Sequence, residues 1–311
     1  MTDSAAAPTA KPAAETSQWG DVWRQFRRHR GAMFALLVLV LILATILLGP
    51  YVWRIDPSYI DPDPIKMLKS RNQPPSWAHP LGTDQLGRDM LARMMAGGRV
   101  SLAVAMTAMT IAISIGTTIG VLAGYFRGLD GVLMRLTDVF LALPLLPLLL
   151  VMVLFFRDTL SSVFGPETGI FILIVGAIGL TSWMQTARIV RGEVLALKER
   201  EFMLAARSIG TSPVKMVLRH ILPNVLSPVL VAATLEIASA IITESVLSFL
   251  GLGFPPDFPT WGRILYDGID FMQQFPGRVI WPGIAISLTV LSVNYIGDGL
   301  RDALDPRIRA R

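Results

Sequence analysis

Apolar positions in this chain come in long unbroken blocks, not in short alternating runs. Residues 33–48 carry no charge and are almost purely aliphatic. With their flanks, over 31–52, they reach the roughly 20 residues that cross about 30 Å of hydrocarbon. Residues 101–125, 136–156, 169–187, 225–250 and 279–296 read the same way. The blocks predict an all-α integral membrane protein with six transmembrane helices and both termini on one side. The 101–125 block is rich in Gly, Ala, Ser and Thr, the small residues that let helices approach closely in lipid. Pro144 and Pro147 predict a kink in the third block. A signal peptide is the other reading of the first block. Its apolar core would be shorter and followed by small residues, whereas this one runs on into Gly49 and Pro50.

Between the fourth and fifth blocks lies a polar stretch, 193–223, that predicts a two-helix hairpin. Residues 193–208 hold no Pro or Gly and are rich in strong helix formers. Gly210 falls where a left-handed C-terminal cap belongs. Ser212 then Pro213 reads as a start signal, a capping hydroxyl before Pro at the first helical position. Val214, Val217, Leu218 and Ile221 predict one apolar face, with Lys215 and Arg219 on another. Pro223 is expected to end or kink this second helix. On pattern alone, the hairpin reads as a solvated connector between two spans ahead of a functional element.

The remaining segments are polar. Residues 1–18 are Ala-, Pro-, Thr- and Ser-rich and predict a disordered tail. Over 19–30, Trp19, Trp23 and Phe26 alternate with Arg24, Arg27, Arg28 and Arg30, an interfacial anchor beside a span. The Pro-rich loop 53–98 predicts little regular structure before Asp84, then a short amphipathic helix marked by Leu86, Met90, Leu91, Met94 and Met95. A second loop, 251–278, lies on the same side. Residues 99–311 would form the core of the protein.

Composition sharpens the class. Of 311 residues, 52% are apolar and only 16% charged, against about 25% charged in soluble domains. There are no cysteines, so disulfides and thiolate chemistry are excluded. Most of the 28 Lys and Arg residues fall in the two tails, the 126–135 loop and the hairpin. The positive-inside rule therefore places the hairpin and both termini in the cytoplasm. The net charge of +5 belongs to this asymmetry and implies no nucleic-acid partner.

Three stretches carry a family resemblance. Ala205-Ala206, Gly210 and Ile221-Leu222-Pro223 resemble the loop by which permeases of ABC importers dock their ATPases. The text from His79 to Asp84, then Gly87-Arg88-Asp89 and Gly98 to Leu102, resembles the segment before the second span of C-type permeases of dipeptide and oligopeptide importers. Gly297 to Pro306 resembles their C-terminal signature. The hairpin departs from the family twice: Leu204 stands where the family has an acid, with Glu201 the nearest, and His220 stands where it has Ile. A salt bridge from the family's acid is therefore not carried over.

The resemblance implies a bacterial inner-membrane permease subunit with no cofactor of its own. Its expected partners are a B-type permease, two ATPases that hold ATP and Mg, an external peptide-binding protein and the bilayer. It implies ATPase docking by Glu201, Ala205, Ala206, Gly210, Ser212, Pro213, Lys215, Arg219, Leu222 and Pro223. Peptides are the expected cargo, and the text 187–192 favours oligopeptides. Nickel and glutathione are the alternatives within the same architecture.

The rest of the chemistry is spare. The chain holds no phosphate-binding G-x-x-x-x-G-K-[ST] loop, no G-x-S-x-G and no H-E-x-x-H, so it is expected neither to be the ATPase nor to be an enzyme. A metal role for His79 and Asp84 lacks companions, and no metal site is expected. Glu236 and Glu244 lie inside the fifth block. Spaced eight apart, they are expected on one helical face, lining the translocation route or serving as interior structural acids. A secondary transporter or channel acting alone would call for inverted repeats or charge relays, and neither is evident. A purely structural membrane subunit is the other rival.

Overall fold

The computed structural model describes residues 18–304, and these are helices joined by loops, with one isolated bridge between Thr83 and Asp89. The expected tail lies outside the described residues except for Gln18, as do Asp305 and Pro306 of the C-terminal signature. Among the described residues, six helices are long and apolar enough to cross a membrane. They are α2 (Arg30–Val52), α4 (Met90–Tyr125), α6 (Leu145–Phe164), α7 (Pro166–Lys198), α10 (Leu222–Phe249, continuous with the turns before it) and α12 (Gly277–Leu304). Around them lie α1 (Gln18–Arg28), α3 (Pro64–Ser70), α5 (Arg127–Ala142), α8 (Glu201–Ser208), the single turn α9 (Pro213–Lys215) and α11 (Trp261–Ile269).

Several boundaries differ from the pattern, each for a local reason. The short surface helix expected before 101 is the beginning of α4, which runs unbroken for 36 residues. Asp89 sets its start, accepting from the Ala92 N–H at 2.7 Å. Gly97 and Gly98 do not interrupt it. They admit a neighbour instead: a Cβ on Gly97 would lie 3.1 Å from the Thr260 carbonyl carbon, and one on Gly98 2.9 Å from the Trp261 ring.

The kink expected at Pro144 is a full break. Leu143 and Pro144 are both extended, so α5 and α6 are separate helices and the third span starts at Leu145. The residue before Pro is pushed out of the helical region, and that ends α5. Pro147, inside the first turn of α6, is tolerated where no N–H partner is needed. The fourth span overshoots its apolar block: α7 continues to Lys198 and absorbs the first part of the expected hairpin helix.

The centre of the bundle is the pair α4 and α7. Gly116, Gly120 and Gly124 recur every fourth residue and form a side-chain-free stripe on α4. A Cβ on each would lie 2.6, 2.6 and 3.1 Å from the carbonyl oxygens of Trp183, Ala187 and Arg191 on α7. With no hydrophobic force between helices in lipid, such backbone approach supplies the dispersion contact that holds them together. The apolar core continues through Val104, Ala105 and Ala108 against Ile170, Ile174 and Ile178, with Ile241 of α10 closing it. At the N-terminal end, Val22 and Phe26 of the basic segment pack on Ala32 and Ala303, tying α1 to α2 and α12.

Candidate docking hairpin and membrane cavity

The hairpin begins where α7 stops. Glu199 and Arg200 break the helix, and α8 then covers only Glu201–Ser208. Gly210 adopts φ 76°, as the cap requires. The Thr211 N–H reaches the Ala206 carbonyl at 3.1 Å and the Gly210 N–H reaches Arg207 at 3.0 Å, the paired bonds of a Schellman cap. Ser212 is extended ahead of Pro213, but its hydroxyl makes no capping bond. The Ser212 carbonyl accepts from Met216 N–H instead.

The expected apolar face of the second helix is corrected. Met216–Ile221 is a π turn, in which the Leu222 N–H donates to Val217. Pro223 explains it: it has no N–H for the Arg219 carbonyl and its ring crowds that oxygen, so the helix widens by one residue and continues. Asn224 Nδ2 donates to the carbonyl of His220 at 2.7 Å. Pro223 therefore does not end the helix. The wider turn puts Met216 and Ile221, five apart, on the inner face, packed with Met203, Ala206, Val190, Val194 and Val225. Val214 and Leu218 are turned out.

This leaves an apolar surface on the hairpin. Ile209 is 83% exposed, Val214 66% and Leu218 60%, with Phe202 and Leu204 also exposed. Glu201, Ala205, Gly210, Ser212, Pro213, Lys215, Arg219 and Pro223 are exposed around it, Leu222 is half-buried and Ala206 is buried beneath it. The hairpin is braced to the bundle by Lys198 Nζ, which donates to the Gly124 and Tyr125 carbonyls at 3.0 and 3.1 Å. The neighbouring 187–192 text supplies a second brace. Arg191 grips Asp130 of α5 through two bonds of 2.5 and 2.7 Å, and Arg188 pairs with Asp138. The Arg191 hydrogen bonds hold the Asp130 carboxyl below its ordinary range.

The break between α5 and α6 opens a cavity of about 210 Å³ against α7 and α10. Phe140, Leu141, Leu143, Leu145 and Leu148 form its apolar wall, and Ser182, Gln185, Ser239 and Glu236 its polar one. Glu236 sits at the midpoint of α10. Glu244 does not share this face, since eight helical steps leave the two about 80° apart. Its side chain is sealed between α4 and α11, accepting from Ser101 at 3.0 Å and Ser248 at 2.7 Å, with no exposed surface.

The far end of the bundle carries a buried charge cluster that the sequence did not reveal. Asp84 accepts from Leu86 N–H, Arg88 N–H and Arg88 Nε at 2.8, 2.9 and 2.7 Å. Arg88 and Arg93 both reach the Pro256 carbonyl, at 3.2 and 3.3 Å, and Arg278 donates to Asn72 and to the Thr83 carbonyl. Arg93 also lies 3.5 Å from Asp267, whose carboxyl is pushed up by burial against the pull of Arg263 and Arg93. His79 faces Asp89 at 2.7 Å, and Asp89 also takes the Trp53 indole N–H. His79 and Asp84 thus serve separate pairs, and among the described residues no group of side chains could hold a metal. The clue in the sequence was the density of charge in 84–93 and a second, Pro-rich loop on the same side.

Six long apolar helices, a membrane-level cavity with a lone acid and an apolar elbow at one end define a multi-pass transport subunit. Comparison with known proteins is specific. Residues 116–310 match the family described as binding-protein-dependent transport system inner membrane component, and residues 17–75 match the N-terminal transmembrane domain of oligopeptide transport permease C. The chain is 37% identical over 295 residues to the oligopeptide transport system permease protein OppC of Bacillus subtilis (strain 168), covering 94% of this chain and 91% of that one. It is 37% identical over 305 residues to the glutathione transport system permease protein GsiD of Pectobacterium atrosepticum, covering 97% and 96%. It is 35% identical over 295 residues to the dipeptide transport system permease protein DppC of Alkalihalophilus pseudofirmus, covering 94% and 91%. A chain of the MetNI methionine ABC transporter in an inward-facing form shares the fold, with TM-score 0.54 and 21% identity over 67% of this chain and 95% of that one.

The chain belongs to the family of binding-protein-dependent transport system inner membrane components. It is a multi-pass inner-membrane permease subunit of an ABC importer, and its family works with other permease, ATPase and binding-protein subunits.

Proposed function

We propose that this chain is the C-type permease of a peptide importer and supplies one half of the path. A B-type permease supplies the other half, two ATPases dock below with their own ATP and Mg, and an external binding protein delivers the cargo. The hairpin lies in the cytoplasm, with both termini, as the Lys and Arg distribution favours. Closure of the ATPase pair pushes the hairpin, and the bundle swings the cavity between outward and inward exposure. Glu236 faces the path, while Glu244 holds α4, α10 and α11 together. Relatives named for oligopeptides, dipeptides and glutathione support a peptide cargo, including glutathione itself.

The observation that carries this reading is the outward apolar row of Ile209, Val214 and Leu218 on a hairpin whose inner face is already filled. Exposed anchors on a rigid elbow, ringed by Lys215, Arg219 and Glu201, are what a groove on a soluble partner takes up. Leu218→Asp in the reconstituted complex is expected to weaken ATPase docking by about 2 kcal/mol and to abolish uptake, with the permease still folded. Normal coupling in that variant would remove the hairpin from the docking role. Gly210→Cys should resist an impermeant thiol reagent in intact cells; labelling from outside would reverse the orientation.

A further inference from the structure

We propose that Glu236 is a cation-binding residue of the translocation route and that the group it takes is the protonated amine of the peptide cargo. This rests on the reading of the α5–α6–α7–α10 cavity as one half of that route. Among the described residues Glu236 has no hydrogen-bonding or ionic partner, although it lies midway along a membrane span. Four other acids of the chain are engaged. Glu244 is held by Ser101 and Ser248, Asp130 by Arg191, Asp138 by Arg188 and Asp84 by Arg88. An unpaired carboxylate at that depth is retained where it faces water or a ligand.

The lining defines what the ligand must be. Beside Glu236 stand Ser182, Gln185 and Ser239, all neutral and free to orient toward either sign of dipole. Thr181 is spent on its own helix, donating to the Ala177 carbonyl at 2.7 Å. Among the described residues no basic side chain lines the cavity, so a cargo carboxylate would find no counter-charge there, only the repulsion of Glu236 set against neutral donors. The opposite wall of Phe140, Leu141 and Leu148 keeps the dielectric low and strengthens attraction for a positive group. A volume of about 210 Å³ falls short of the roughly 300–1,000 Å³ of a complete small-molecule site, as expected of a chamber whose second wall belongs to the partner permease. The one cation that peptides of every sequence share is the terminal ammonium. The cavity therefore recognises the end of the cargo and leaves its side chains unread.

The chain contains no cysteine, so an introduced thiol is a unique reporter on this subunit. The test uses the full importer in proteoliposomes with Ser239→Cys, an exposed position beside Glu236. Cationic and anionic methanethiosulfonates are compared in the presence and absence of Glu236→Gln. Binding-protein-stimulated ATPase activity serves as the check on assembly. The cationic-to-anionic rate ratio should fall about tenfold or more when Glu236 is neutralised. Trialanine should protect the thiol, N-acetyl-trialanine should not, and protection should vanish in Glu236→Gln. An unchanged ratio, or equal protection by the two peptides, would overturn the proposal. Protection by Ni²⁺ and not by trialanine would replace the ammonium with a metal ion and overturn it as well. A thiol that reacts with neither reagent in any nucleotide state would remove the cavity from the route, and the proposal with it.

Discussion

The two ends of this molecule are finished differently. At the end away from the hairpin, Arg88, Arg93, Asp84, Asp89 and Arg278 are all buried, and their partners come from the same chain. The loop after α2 and the loop around α11 are locked together there, with the Pro256 carbonyl taking two guanidiniums. At the hairpin end the charged groups are exposed and the apolar ones are too: Ile209, Val214 and Leu218 face outward. One end buries its charges against partners within the chain, and the other leaves apolar side chains uncovered.

The sharpest way to break the comparison is at the self-sufficient end. Asp84→Ala would leave Arg88 and Arg93, each 1% exposed, without their shared counter-charge. Removing one member of a buried ion pair costs about 3–5 kcal/mol. At about 2–4 °C per kcal/mol for chains of this order, the thermal midpoint of the purified complex should drop by roughly 10 °C. A shift within the error of the measurement would mean that the cluster is solvated and the contrast between the ends is false.

A substitution inside the hairpin sharpens the contrast from the other side. Met203 is fully buried beneath the apolar row, against Met216, Ile221 and Val194. Met203→Ala should cost about 2–5 kcal/mol through the cavity it leaves, read as lost protection of the hairpin in hydrogen exchange. Outward substitution at Leu218 should leave that protection within about 0.5 kcal/mol. Equal effects at the two positions would mean that the hairpin has no distinct inner and outer faces.

How much of this was legible beforehand follows the range of the forces involved. The six spans were, because each depends on apolar length alone, and so was the cap at Gly210, which depends on one residue's backbone. The orientation of the hairpin helix was not. The apolar spacing of Val214, Val217, Leu218 and Ile221 assumes an α-helix, and the widened turn before Pro223 rotates every later side chain by about 100°. The overrun of α7 to Lys198 was hidden for a similar reason: helix formers continue past the end of the apolar block, and only packing against Val121 and Tyr125 shows that they stay in one helix. The separation of Glu236 from Glu244 turns on the same angular count. The buried cluster at Asp84 was least legible, since it joins positions as far apart as Thr83 and Arg278.

The smallest expected effect lies between the two ends, at the clamp of α5 on α7. Asp130 is exposed enough that its pair with Arg191 should contribute only about 0.2–1 kcal/mol, although the grip is bidentate. Its pH dependence has a definite sign. Hydrogen bonding from Arg191 lowers the carboxyl below its ordinary value in the folded chain. The contribution is therefore fully present above about pH 4, where the unfolded chain also ionises, and is lost as pH falls through the depressed folded value. Asp130→Asn should remove that contribution, so wild-type and variant stabilities should converge below the folded value and differ by a constant above about pH 4. A difference that grows as pH rises above neutrality would show that Asp130 is not what holds α5 to the base of the hairpin.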